Sequence, residues 1–205
     1  MAALNKTHIL CIFSAVFSTH ALAELYDCPG KDLIEISGDY KKTTDLQWND
    51  AVIPDMFIVD PKGIIGKSPR QIQKVAKKYA FEKPESIIGY TIDDDSRAIA
   101  VYQTPLGAML MGKILMKRAR GARSCMPGSS IQGLFLGMPT ALVHARGQED
   151  KSKCMWQVEM LDIKNSVDYT IYHPVQCAQA PTKEYSLRLL ETIKGLLPSQ
   201  LATQR

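Results

Sequence analysis

The chain has 205 residues, 45% of them hydrophobic and 22% charged, with a formal net charge of +4. That length supports one good hydrophobic core or two small fused ones. The mild cationic excess does not by itself imply a nucleic-acid partner, and no later segment approaches the ~20 apolar residues of a membrane helix.

The first residues read as an export signal. Lys6 gives a positive start, Ile9 to Phe17 an apolar run too short to span a bilayer, and Ala21-Leu22-Ala23 a small-x-small cleavage site. Cleavage after Ala23 is expected, with a periplasmic or secreted product and no transmembrane segment. Cys11 lacks a lipobox and leaves with this segment. Cys28, Cys125, Cys154 and Cys177 remain, an even set that reads as two disulfides in an oxidising compartment. Four cysteines allow three pairings. Cys154 and Cys177 flank a predicted hairpin and are the favoured pair, which leaves Cys28 for Cys125.

Along the mature chain, Asp32 to Ser37 is a candidate strand, and Val52 to Val59, broken by Pro54, an edge strand or irregular segment. Ser68, Pro69 and Gln71 make a capping box with proline at the first helical position. Ile72, Val75, Ala76, Tyr79 and Ala80 then form one apolar stripe, so a helix is predicted, ending at Lys83-Pro84. Ile87 to Ile92, Ala98 to Gln103 and Ala108 to Met116 are three strands whose short connections dictate an antiparallel meander.

Gly121 to Ser130 is turn-rich and divides the mature chain into halves, 24–120 and 121–205. Beyond it, Gly133 to Gly147 (GLFLGMPTALVHARG) is read as a short apolar segment, a glycine turn and then a helix begun near Pro139 and closed by Gly147. Cys154 to Ile163 alternates, with Trp156, Val158 and Met160 on one face and Gln157 and Glu159 on the other; Val167, Tyr169 and Ile171 alternate likewise. Trp156 and Tyr169 are expected to face inward and Tyr172 outward. A final amphipathic helix begins near Pro181 and stops at Pro198. The fold class is α+β, antiparallel sheet with packed helices. Both halves run glycine, apolar segment, glycine, helix, hairpin, as a degenerate β-α-β-β duplication would.

The phrase Gly133-Leu-Phe-Leu-Gly-Met-Pro-Thr-Ala-Leu-Val resembles the helix entry of two small exported families. They are the secreted β-lactamase inhibitory proteins and the small lipoproteins of the outer-membrane assembly machinery. The likeness covers about fifteen residues and reaches Gly63 to Phe81 only by analogy, with Lys67-Ser68 in place of Met-Thr. It implies a helix-plus-sheet scaffold that presents a sheet to another protein and carries no catalytic residues.

Chemistry is sparsely signalled. His144 and His173 are the histidines of the mature chain, and no G-x-S-x-G elbow, C-x-x-C pair or phosphate loop accompanies them. The sequence predicts neither a metal nor a cofactor. An envelope hydrolase would need His144 or His173 beside a serine or aspartate, with Ser129 and Ser130 as candidate nucleophiles. Asp93, Asp94 and Asp95 read as a solvated turn. Two basic features stand out. Arg70, Lys74, Lys77 and Lys78 form a stripe opposite the helix's apolar one; Lys113, Lys117, Arg118, Arg120 and Arg123 fall together without an intervening acid. The first reading is a non-enzymatic exported module that binds another protein, acidic at the contact, as an inhibitor, immunity protein or envelope accessory. An anionic lipid or glycan is the alternative partner.

Overall fold

The computed structural model describes residues 48–61, 64, 66–92, 95–115, 133–162, 164–177 and 182–198. The elements are β1 (Asn49–Ile53), a 3-10 turn (Asp55–Phe57), α1 (Pro69–Tyr79), a second 3-10 turn (Pro84–Ser86), β2 (Ile87–Ile92), β3 (Arg97–Thr104), β4 (Gly107–Leu115), β5 (Gly133–Phe135), β6 (Met138–Gly147), β7 (Lys153–Asp162), β8 (Val167–Gln176) and α2 (Lys183–Leu196). This is an α+β chain, mostly sheet. The predicted signal segment, Asp32 to Ser37, Cys28, Cys125, Lys117, Arg118, Arg120, Arg123, Ser129 and Ser130 lie outside the described residues.

The strands form one eight-stranded sheet in the order β1-β6-β7-β8-β4-β3-β2, with β5 beside β6. β1 runs parallel to β6, and the other pairings are antiparallel. The predicted meander is β2-β3-β4. β4 pairs with β8, so strands from both sides of the turn-rich region share the sheet.

The two faces differ because different parts of the chain cover them. On one face α1 and α2 bury Ile72, Val75, Tyr79, Leu189, Leu190 and Ile193 against Ala100, Tyr102, Met111, Leu142, Trp156, Val158 and Ile171. On the opposite face the segment after β1 supplies Phe57, Ile58, Val59 and Ile64, which pack on Val101, Leu110, Ala145, Met155 and Tyr172. The alternation read for β7 and β8 holds, and Tyr172 does point away from Trp156. It is nevertheless only 1% exposed, because this strap lies over it. Tyr172 is a core residue, not the outward contact expected.

Gly133 to Gly147 departs from its reading. Pro139 to Gly147 is strand, not helix, and Phe135 pairs with Met138 across a two-residue turn. Leu136 (φ 53°) and Gly137 (φ 76°) both take the left-handed conformation, as a tight hairpin of this twist demands. Gly137 therefore serves a hairpin, not a helix entry, and the second unit lacks the helix a β-α-β-β repeat requires. In the first segment Gly66 (φ 100°) does precede a helix.

Cys154 and Cys177 form the favoured disulfide, tying the start of β7 to the end of β8. Closing a loop of 23 residues' separation contributes about 3 kcal/mol by the loop-entropy argument.

Candidate functional site

α1 carries the clearest surface feature. The Ser68 hydroxyl accepts from Gln71 N, and Gln71 Oε1 accepts from Ser68 N at 3.1 Å, so the first turn is closed on both sides. Burial of Ile72, Val75, Ala76 and Tyr79 then fixes the rotation of the helix. What remains outside is Pro69, Arg70, Gln71, Gln73, Lys74, Lys77 and Lys78, with no acid among them. Lys78 is drawn aside by Asp95 at 2.6 Å, which raises its pKa. Lys67, just before the cap, stands 5.9 Å over the Tyr90 ring. Arg70, Lys74 and Lys77 are left facing solvent on one stripe.

The far end of α1 explains Lys113. Ala80 turns left-handed (φ 53°), and the Lys113 ammonium donates to the Ala80 carbonyl at 2.8 Å while lying 5.3 Å from the Tyr169 ring. It is 4% exposed, so it caps a helix and does not belong to a docking surface as the sequence suggested. Burial pulls its pKa down to about 8, against the opposing pull of Glu82 and Asp162.

The two histidines occupy one row across the helix-covered face. β1 pairs Asp50 with His144, β6 pairs His144 with Trp156, and β7 pairs Trp156 with His173. His144 lies on a strand, not on the short helix expected. Its Nδ1 meets Asp50 Oδ1 at 3.1 Å, and its Nε2 is buried without a hydrogen-bond partner among the described residues. Since the carboxylate accepts, Nδ1 carries the proton. His173 Nδ1 donates to the Ala108 carbonyl at 3.2 Å, which leaves Nε2 to accept from the Tyr185 hydroxyl at 2.7 Å. Burial lowers the pKa of His173. The Tyr185 ring lies nearly parallel to the Trp156 and His173 rings, with its centroid 6.2 Å from each. Trp48 meets Trp156 edge-on at 5.6 Å.

These partners are a carboxylate, a carbonyl and a phenol. The arrangement can orient His144 as a base, and it locks α2 to the sheet through His173. Asp50 and Tyr185 were not legible as its members, because only the register of β1 with β6 and the seat of α2 bring them there. Among the described residues no group of three or more His, Cys, Asp or Glu side chains could hold a metal ion. Among the same residues no helix is long and apolar enough to cross a membrane.

The opposite face holds one more perturbed group. Gln157 Nε2 donates to Glu159 Oε1 at 2.9 Å. Burial, then the charge of Asp168, pushes the Glu159 carboxyl up to about 8, and the Gln157 bond works against that rise. No family model, curated protein or solved structure matches the chain.

Proposed function

We propose that this chain is an exported binding module that engages an acidic partner protein through the exposed stripe of α1. The observation that carries the reading is the arrangement of Arg70, Lys74 and Lys77 on a rigid, capped helix whose outer face holds no acid. Uncompensated like charges on one face raise the local potential and draw in an opposite surface. The Cys154–Cys177 disulfide supports an oxidising compartment. The test is affinity capture of residues 24–205 from an envelope extract, beside the variant Arg70→Ala/Lys74→Ala/Lys77→Ala. One stoichiometric protein held by the native form and lost by the variant is expected; equal recovery by both would remove α1 from the account.

A second reading, an envelope hydrolase, is favoured by one observation, the Asp50–His144 pair with its unpartnered Nε2. It predicts hydrolytic turnover that disappears in both His144→Gln and Asp50→Asn. Turnover that survives either change, or none in the native protein, counts against it.

A further inference from the structure

We propose that the partner's contact is an extended acidic peptide segment, with carboxylates at alternate positions, laid along α1 beside the edge strand β2. This rests on the α1 reading and names the chemistry of its partner.

Spacing comes first. At 1.5 Å rise per residue, Arg70 and Lys74 are about 6 Å apart along the helix and Lys74 and Lys77 about 4.5 Å. In an extended chain, side chains on one face recur about every 6.6 Å. Three alternate acidic residues span about 13 Å and the three cations about 10.5 Å, a difference within the reach of the long arginine and lysine side chains.

The character of the face comes second. Beyond Pro69 at its first position, its outward residues are arginine, glutamine and lysine, with no aromatic group and no long aliphatic one. A folded partner would need desolvated anchors there to build an interface core. A helix that lies on a bilayer dips apolar residues into it, and the apolar residues of α1 are spent inside the protein. A flexible acidic segment needs neither.

The surroundings of α1 favour a peptide over other polyanions. Among the described residues β2 ends the sheet order, with β3 as its strand partner. α1 runs beside it: Lys67, ahead of the helix, stands over Tyr90 of β2, and Lys78, in its last turn, reaches Asp95 just past the strand. Gly66 N already donates to the Ile88 carbonyl at 3.1 Å, so it is the part of the strand beyond Ile88 that offers backbone donors and acceptors, which an extended peptide can take up and a lipid or phosphate polymer cannot use.

The test uses fluorescence anisotropy of a labelled peptide of alternating Glu and Ser, about ten residues long. Added to residues 24–205, it is expected to bind and to weaken as ionic strength rises from about 0.01 M to about 0.1 M, where screening shortens from roughly 30 Å to roughly 10 Å. Arg70→Ala/Lys74→Ala/Lys77→Ala should weaken it at least about tenfold, on the scale of several charge pairs lost together. The charge-matched control Lys183→Ala/Arg188→Ala/Lys194→Ala, on α2, should not. Peptide binding that ignores the α1 changes overturns the proposal. So does tighter binding of inorganic polyphosphate or of vesicles containing phosphatidylglycerol. Should the α1 variant lose a captured protein while the peptide fails to bind, the peptide contact is wrong and the binding function stands; equal capture by both forms removes the function itself.

Discussion

Gly147 has no room for a side chain. A Cβ there would stand 2.6 Å from the Asp150 carbonyl oxygen and 2.7 Å from Asp55 Oδ1. The crowding exists because the Asp55 carboxylate reaches across to accept from Glu149 N at 3.1 Å and Asp150 N at 3.0 Å, fastening the β6–β7 turn to the chain after β1. Gly147→Ala should therefore cost about 1–3 kcal/mol in urea unfolding, the usual cost of overpacking. Adding Asp55→Ala relieves one contact but leaves the backbone oxygen, so the double variant should be no more stable than the single. A double variant that recovers native stability would show that the side chain alone was in the way. The sequence suggested a helix-closing glycine at this position. It is needed for close approach, which depends on a residue ninety-odd positions earlier.

At the scale of elements, legibility follows the range of the forces involved. α1 was readable because its capping box, its proline and its apolar stripe all lie within twelve residues, from Ser68 to Tyr79. Ser68→Ala should cost about 1 kcal/mol and lower the thermal midpoint without altering the spectrum of the sheet. An unchanged midpoint would mean the cap does not hold the helix. β6 was not readable for a complementary reason. Met138, Leu142 and Ala145 are buried on both its faces, so the strand shows a near-continuous apolar run. Periodicity cannot separate such a strand from a buried helix segment, and pairing with β1, β5 and β7 decides the matter. The basic stripe was legible for the same local reason as α1. The burial of Lys113 and Tyr172 was not, since a capping carbonyl at Ala80 and the strap after β1 do the covering.

Across the whole molecule, His173 and Glu159 give stability opposite pH slopes. Burial holds the His173 pKa below 6.5. The unfolded chain takes up a proton that the folded one refuses, so stability is full above about pH 6.5 and declines as pH falls. Glu159 carries the other sign. Its carboxyl, raised from 4.5 to about 8 chiefly by burial, keeps a proton that the unfolded chain releases, so stability declines as pH rises between those values. Thermal midpoints across pH should show His173→Gln losing the acid decline and Glu159→Gln losing the decline toward pH 8. Unchanged slopes in both would mean neither group is desolvated as described.

The sheet, its cores and its disulfide hold a helix so that one face stays outside, the face proposed to meet the partner. Site-specific photo-crosslinking decides this most directly. A photoreactive residue placed at Lys74, and another at Asp50 beside His144, are exposed in turn to an envelope extract and irradiated. A discrete adduct from position 74 and none from position 50 is the result expected. An adduct from position 50 alone would move the function to the Asp50–His144 end of the sheet and contradict the account.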